Sequence, residues 1–176
     1  WRGYGESEWL GLPYWFPDYY GDLDALLAHY SPDRPARLVG HSMGSLVALE
    51  LGTILGDKVQ GVVLIATAFP MHVSDALLSA TKSSPTQAME MINVWSHSAS
   101  IMAFDRKPSN PGPGFSNVWN NLRLMQRVAQ RNGSDVLHAD FAACNAYQRG
   151  AQAVAALTCP ALFILAASDS MTPTRA

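Results

Sequence analysis

A pentapeptide of the form G-x-S-x-G, Gly40-His41-Ser42-Met43-Gly44, lies between a short apolar run at 36–39 and a stretch of helical spacing at 46–55. A serine between a buried strand and a helix requires a sharp turn. Gly40 and Gly44 allow that turn, because glycine accepts strained backbone conformations and leaves room for close packing. The N-terminus of the following helix offers unpaired N–H groups beside the serine. The sequence therefore predicts a strand, a tight turn and a helix that present Ser42 as an exposed nucleophile.

The segments on either side of this turn predict a βαβ unit. Apolar residues recur at helical spacing over 23–30, and Gly56 is a stop signal for the helix after the turn. The nearly uninterrupted apolar run at 59–66 is typical of a parallel strand that is covered on both faces. Strand, helix and strand in this order form a right-handed crossover of a parallel sheet. The predicted class is α/β, with a central, mostly parallel sheet and helices on both faces.

A stretch of different character separates this unit from the end of the chain. Residues 70–150 hold five of the seven methionines and show no convincing strand. Ser84-Pro85 is a helix start, residues 118–129 have helical spacing, and residues 108–114 form a loop rich in proline and glycine. A helix at 151–157 and a strand at 161–165 follow. We therefore predict a core at 1–69, a helical cap at 70–150 and a return to the core at 151–176.

Composition excludes several classes of partner and cofactor. The chain has 176 residues, 48% of them hydrophobic, with a net charge of −2 and no Lys/Arg run, so nucleic acid and anionic membranes are not expected partners. No apolar run is long enough to span a bilayer. The histidines and the two cysteines lack metal-ligand spacing, so we expect no metal, no cofactor and free thiols. No signal peptide is visible, which favours the cytoplasm, but a chain that opens on Trp1 leaves the compartment open.

Asp169 is the candidate acid to accompany Ser42. It follows the short apolar strand at 161–165, at the carboxyl edge where parallel sheets build their sites. An acyl-transfer serine needs a base to take its proton and an acid to orient that base. The alternative is an aspartate that caps a following helix.

The pentapeptide at 40–44 has the form of a nucleophile elbow, the strand–helix turn that carries the catalytic serine in the α/β-hydrolases. Together with the turn Asp169-Ser170-Met171-Thr172-Pro173, it resembles the capped α/β-hydrolases of the serine esterase and lipase type. The opening Arg2-Gly3-Tyr4-Gly5-Glu6-Ser7 is similar to an R-G-x-G-x-S turn of that family. The resemblance covers essentially the whole chain. It implies that Ser42 is the nucleophile, that the Met43 N–H belongs to the oxyanion hole, and that Asp169 is the triad acid.

Two parts of the family pattern have no counterpart in the chain. The family places its histidine base well beyond the acid, whereas seven residues follow Asp169 and none is histidine. The loop that completes the oxyanion hole would lie upstream of Trp1. We therefore expect the N-terminal strands, the last strand–helix pair and the catalytic histidine to lie outside this chain. Residues 1–176 alone are expected to be poorly soluble and inactive.

Four histidines remain candidates for lining the substrate pocket. The side chain of His41 points away from that of Ser42, because adjacent residues at a strand end alternate in direction. His72 follows the strand at 59–66, while His97 and His138 lie in the predicted cap. For each of the four, a structural or surface role is the alternative.

The function that the resemblance implies is hydrolysis of a small carboxylic ester, with lipid-like or other apolar acyl groups, thioesters and lactones allowed. Amide cleavage, carbon–carbon bond hydrolysis and serine-dependent peroxidation remain open, because the elbow is the same in each. A non-catalytic protein of this fold that binds a ligand is a further alternative. The sequence does not indicate an oligomeric state.

Overall fold

The structure is a computed structural model of the chain, and it describes residues 1–11, 14–97, 113–133 and 135–175. Three strands and seven α-helices occupy these residues. In chain order they are α1 (Phe16–Tyr30), β1 (Ala36–His41), α2 (Met43–Leu55), β2 (Val59–Ile65), α3 (Asp75–Ser83), α4 (Pro85–Trp95), α5 (Pro113–Asn132), α6 (Asp135–Ala146), α7 (Gly150–Ala156) and β3 (Ala161–Ile164). A short 3-10 turn, Gly56–Lys58, joins α2 to β2.

The three strands form one parallel sheet in the order β1-β2-β3. Their register aligns His41 with Ile65 and Ile65 with Ile164, so all three strands end at the same edge. Because β2 lies between β1 and β3, the segments that follow β1 and β3 leave the sheet on either side of it. The predicted βαβ unit and the parallel sheet are confirmed.

A hydrophobic core lies between the sheet and two helices. Ala48 and Leu49 of α2 and Ala153 of α7 pack with Val62 and Leu64 of β2. Leu64 is fully buried and Val62 is 2% exposed. Helix α2, whose residues 45–52 are all buried, therefore packs against the sheet directly after the turn at Ser42.

The opposite face of the sheet is only partly covered, although the apolar run at 59–66 predicts a strand that is covered on both faces. Val39, Val63 and Leu162 occupy one row of the register on that face. Val63 is half-buried, whereas Val39 is 67% exposed and Leu162 is 55% exposed. Within the described residues, Val62 and Leu64 of β2 are therefore buried on the face of α2, whereas the other face is only partly covered.

The chain divides into two compact units, one of residues 1–12 and 73–141 and the other of residues 13–72 and 142–176. In the first, α3, α4 and α5 pack in sequence, and Ser74 caps α3 by accepting a hydrogen bond from the Leu77 N–H at 3.3 Å. The opening segment belongs to this unit, where the Tyr4 hydroxyl donates to Asp140 Oδ2 at 2.6 Å. The domain boundaries at 69 and 150 remain a prediction.

Most predicted elements are found, with differences at their ends and two additions. Pro85 is at the start of α4, and Gly56 and Gly133 follow α2 and α5 with positive φ. Helices α3 and α6 have no counterpart in the predicted elements. Of the predicted loop at 108–114, residues 108–112 lie outside the described residues. Residues 113 and 114 belong to the first turn of α5, so that part of the loop prediction is wrong.

A buried carboxylate ties α2 to the segment before α7. Glu50 is 1% exposed, and its Oε1 accepts hydrogen bonds from the Tyr147 hydroxyl at 2.9 Å and the Arg149 Nε at 3.0 Å. The Tyr147 ring stacks on Phe16 with centroids 4.6 Å apart. Burial, followed by the hydrogen bond to Glu50, raises the pKa of the Tyr147 hydroxyl, so Tyr147 acts as a donor. A buried charge requires such partners, because desolvation is otherwise uncompensated.

Replacing Tyr147 by phenylalanine is expected to lower the free energy of unfolding by about 1–3 kcal/mol, because it removes one of the two donors to the buried carboxylate. Urea unfolding followed by tryptophan fluorescence measures this change. Tyr30→Phe is the matched control, since Tyr30 is 76% exposed. Equal stabilities of the two variants would contradict the role assigned to the Tyr147 hydroxyl.

Candidate active site

Ser42 lies on a strained turn between β1 and α2. Its backbone has φ 52° and ψ −124°, a conformation that residues other than glycine rarely adopt. The Ser42 N–H donates to the Ile65 carbonyl at 2.9 Å and so continues the ladder between β1 and β2. The side chain of Ser42 does not cap α2, although Ser42 is the N-cap residue. The hydroxyl is thus held at the edge of the sheet without being used for capping.

The turn brings the start of α2 back onto the end of β1. A Cβ at Gly40 would lie 2.7 Å from the Cα of Ser45 and would collide with the carbonyl of Gly44. Gly44 itself faces open space. The buried hydroxyl of Ser45 donates to the Ser42 carbonyl at 2.5 Å, and the Ser45 N–H donates to the same oxygen at 2.8 Å. Gly40 and Ser45 therefore support the turn at Ser42 from its two sides.

Met43 is the first residue of α2. Its N–H has no partner within the helix, because the first N–H groups of a helix lack a carbonyl four residues earlier. The positive end of the helix dipole lies at the same place. An oxygen that gains negative charge next to Ser42 would meet this donor.

Asp169 follows β3 and is held by a compact turn. Its Oδ1 accepts hydrogen bonds from the N–H groups of Met171 at 2.8 Å and Thr172 at 2.9 Å. Its Oδ2 accepts from the Thr172 hydroxyl at 2.9 Å. The side chain of Asp169 is half-buried, and Thr172 is 4% exposed. The carboxylate is fixed in one orientation by its own loop.

The same contacts determine the ionisation of Asp169. Burial by itself would raise the pKa of this carboxyl, but the hydrogen bonds from Thr172 and Met171 and the charge of His41 together lower it. A carboxyl with a lowered pKa stabilises the fold at pH values above its unfolded pKa. That stabilisation is lost as the pH falls through the folded pKa. Asp169 is therefore an anion at neutral pH.

The sheet brings Ser42 and Asp169 to one edge. Both follow strands that end in the row of His41, Ile65 and Ile164, and the Ala66 N–H donates to the Ile164 carbonyl at 2.9 Å. His41 is exposed, and its charge acts on Asp169. Ala66, directly after β2, has φ 49°. Ser42 and Ala66, two residues with positive φ, thus follow neighbouring strands at the edge that also carries the acid.

The other candidate histidines have different surroundings. His72 belongs to the same unit as Ser42 and is exposed between buried Met71 and Val73. His97 and His138 belong to the unit of residues 1–12 and 73–141. The structure therefore groups Ser42, Met43, Asp169, His41 and the elbow glycines in one unit, and it places two of the four candidate histidines in the other.

Hydrogen bonds determine the protonated nitrogen of both histidines in that unit. The Nδ1 of His97 lies 2.7 Å from the Asn93 carbonyl, which can only accept. The Thr81 hydroxyl donates to the Leu78 carbonyl at 2.7 Å and so accepts from the Nδ1 of His138 at 2.8 Å. Burial, then the charge of Lys82, lowers the pKa of His138 against the opposing charge of Asp135. In the neutral form of either ring, Nε2 is therefore the acceptor.

Other kinds of site are scarce in the part of the chain that the structure describes. There, no group of three or more His, Cys, Asp or Glu side chains is arranged to hold a metal ion. Cys144 and Cys159 are not joined by a disulfide; Cys144 is buried and Cys159 is half-buried. No described helix is long and apolar enough to cross a membrane. A surface cleft of about 240 Å³ is lined by Ala36 and Leu55, at the edge of the sheet opposite Ser42, and is unrelated to the elbow.

Comparison with known proteins identifies the fold. The model of the serine aminopeptidase S33 family matches residues 1–176, while no curated protein matches the chain. A thermophilic esterase is 21% identical with a TM-score of 0.73, over 97% of this chain and 60% of its own. A hydrolase from Pseudomonas aeruginosa PA01 is 20% identical with a TM-score of 0.78, over 99% and 62%. Est816, an N-acyl homoserine lactone degrading enzyme, is 19% identical with a TM-score of 0.76, over 99% and 64%.

These solved structures share the α/β-hydrolase fold, and their identities to this chain are too low to carry more than the fold. The chain spans between 60% and 64% of the length of the three. Each of the three therefore contains regions that have no counterpart in residues 1–176.

Several contacts around the site were not predicted from the sequence. The hydroxyls of Ser45 and Thr172 and the buried Glu50 are examples. A threonine three residues after an aspartate and directly before a proline is a local signal for the first turn after Asp169, because such side chains hydrogen-bond nearby backbone. Glu50 has no such signal, since a single glutamate in an apolar helix does not identify its partner.

Proposed function

The chain belongs to the serine aminopeptidase S33 family of α/β-hydrolases, and on this basis we propose that it is the nucleophile- and acid-bearing part of a serine hydrolase that cleaves carboxylic esters. The observation that carries the proposal is the conformation of Ser42. A residue other than glycine at φ 52° is strained, and its hydroxyl is not used to cap α2. An anionic carboxylate at the same edge of the sheet supports the assignment.

In the proposed reaction, Ser42 Oγ attacks the carbonyl carbon of the ester while a histidine takes its proton. The carbonyl oxygen becomes an oxyanion and is stabilised by the Met43 N–H at the start of α2. Collapse of the tetrahedral intermediate breaks the bond to the alcohol, which leaves with the proton from the histidine. Water then attacks the acyl-serine by the same steps, releasing the carboxylic acid and restoring Ser42. Asp169 orients the histidine and balances its positive charge.

We propose that the catalytic histidine and the second oxyanion-hole donor lie outside residues 1–176, in a full-length protein of the size of the solved relatives. His41 is not proposed as the base, because adjacent residues at a strand end alternate in direction and its side chain is expected to point away from that of Ser42. The helical cap of residues 70–150 and the roles of His72, His97 and His138 as candidate pocket residues remain predictions from the sequence.

The proposed substrates are small esters with apolar acyl groups. Buried Met71 and Met89 serve as core residues, whereas half-buried Met91 and Met125 are candidates for a deformable apolar wall. Amide cleavage is the second candidate, because the matching family model is described as a serine aminopeptidase. Est816, which degrades an N-acyl homoserine lactone, makes lactones a further class to assay.

The test is covalent labelling combined with a panel of substrates. The full-length protein is treated with a fluorophosphonate, digested and analysed by mass spectrometry, and its turnover of p-nitrophenyl acetate, butyrate and octanoate is compared with that of alanine p-nitroanilide. We expect the label on the peptide that contains Ser42 and preferential turnover of the esters. Residues 1–176 alone are the comparison, and no turnover is expected from them.

Three results would contradict parts of this proposal. Preferential turnover of the anilide would replace ester cleavage by amide cleavage. Full activity of residues 1–176 alone would show that the base lies within the chain. A folded full-length protein that neither binds the label nor turns over any substrate would favour a ligand-binding role.

A further inference from the structure

We propose that Thr172 is a positioning residue for Asp169: its hydroxyl holds Oδ2 of the carboxylate so that one lone pair of this oxygen remains to accept the N–H of the catalytic histidine. This inference rests on the proposed function, because it concerns the orientation of the triad acid. It assigns a role to a threonine that the elbow motif and the acid do not include.

The donors to the Asp169 carboxylate are divided unequally between its two oxygens. Each carboxylate oxygen has two lone pairs that accept hydrogen bonds in its plane. Oδ1 already receives the N–H groups of Met171 and Thr172, so both of its positions are filled. Oδ2 receives the Thr172 hydroxyl alone among the contacts that hold Asp169 in this turn. A further donor is therefore directed to Oδ2.

The three contacts differ in what can replace them. Two come from the backbone and survive any substitution that preserves the turn. The third depends on a side chain that is 4% exposed, so water does not readily replace the hydroxyl. Because the hydroxyl bonds to an ionised oxygen, its contact is of the stronger, charge-assisted kind. Thr172 is thus the point at which the orientation of Asp169 can be changed without changing Asp169.

The electrostatic surroundings of Asp169 agree with this role. Burial raises the pKa of the carboxyl, and the Thr172 N–H, the Thr172 hydroxyl, the Met171 N–H and the charge of His41 lower it. His41, at the end of β1, is the titratable group that acts on Asp169 from another element. Removing the hydroxyl leaves the other contributions in place, so the pKa of Asp169 is expected to rise.

The experiment compares Thr172→Val with Thr172→Ser in the full-length protein. Valine keeps the shape and removes the hydroxyl, whereas serine keeps the hydroxyl and removes the methyl group. For Thr172→Val we expect kcat/KM for p-nitrophenyl butyrate to fall about tenfold or more, the size of a lost hydrogen bond to a charged group. We also expect the midpoint of the Asp169 titration to rise, because one of the contacts that lower the pKa of this carboxyl is lost. Thr172→Ser should restore most of both, and Thr174→Val, at an exposed threonine of the same segment, should change neither.

A second readout is independent of catalysis. The carboxyl carbon of Asp169 is titrated by ¹³C NMR in the wild type, in Thr172→Val and in Thr172→Ser. If Thr172→Val does not fold, judged by circular dichroism, Thr172→Ala is compared with Thr172→Ser instead. A midpoint that rises without the hydroxyl and returns with serine supports the inference.

Two outcomes would overturn it. One is an Asp169 midpoint that does not move when the hydroxyl is lost. The other is an equal loss of kcat/KM in the valine and serine variants, which would show that Thr172 only fills space. The proposed function itself fails if the wild type shows neither turnover nor labelling. The NMR titration then still decides whether Thr172 positions Asp169.

Discussion

Replacing Ser42 by alanine is expected to lower kcat for ester hydrolysis by about 10⁴- to 10⁶-fold and to abolish fluorophosphonate labelling, because the variant has no oxygen that can form the acyl-enzyme. The loss should fall on kcat more than on KM, since substrate binding does not need the hydroxyl. Steady-state kinetics with p-nitrophenyl butyrate and gel-based detection of the label measure the two effects in the full-length protein.

The matched control for this prediction is Ser83→Ala. The Ser83 hydroxyl is exposed at the end of α3 and bonds to the Ser79 carbonyl, so its loss should leave turnover and labelling unchanged. Ser42→Ala should also unfold no earlier than the wild type in urea, because the Ser42 hydroxyl is not a helix cap. Residual turnover within tenfold of that of the wild type would show that another residue is the nucleophile.

Gly40→Ala is expected to be the most damaging small substitution at the elbow. Its methyl group would collide with the Gly44 carbonyl and lie 2.7 Å from the Ser45 Cα, and backbone atoms cannot rotate away as a side chain can. Overpacking typically costs about 1–3 kcal/mol, and we expect this contact to reach at least the upper end of that range. Urea unfolding measures the stability, and loss of labelling reports the displacement of Ser42.

Gly44→Ala provides the comparison within the same pentapeptide. A Cβ at Gly44 meets no atom within 4 Å, and the residue lies in the first turn of α2. Alanine is favoured over glycine in a helix by about 1 kcal/mol, so this variant should be as stable as the wild type or more so. If the two variants were equally destabilised, the close approach of α2 to β1 at Gly40 would be refuted.

The strand, elbow, helix and strand over residues 36–65 could be predicted because each boundary has a local chemical cause. The glycines of the pentapeptide allow the turn at Ser42, and Gly56 ends α2 with φ 52°. The apolar run at 59–65 is typical of a buried parallel strand. Asp169 could be found because parallel strands end at a common edge. These inferences depend on residues close together in the chain.

The contacts that could not be predicted join residues far apart or depend on one atom. Glu50 and Tyr147 are 97 positions apart, and nothing in either segment identifies the other. Helix α6 has a weak amphipathic pattern around residues 136–143, because it is buried on more than one side. The Thr172 hydroxyl depends on the rotamer of one side chain. Such contacts form when the chain packs in three dimensions. The order of residues along the sequence does not indicate which of them will meet.

The hydrogen bond from the Ser42 N–H to the Ile65 carbonyl has a consequence for motion. It makes the backbone of Ser42, the proposed nucleophile, part of the sheet, so Ser42 does not move on the timescale of a surface loop. In the proposed mechanism, the entropy of positioning the Ser42 hydroxyl is lost once, when the sheet forms, instead of at every turnover. Loops that carry other residues of a site can then open and close while the Ser42 hydroxyl keeps its position.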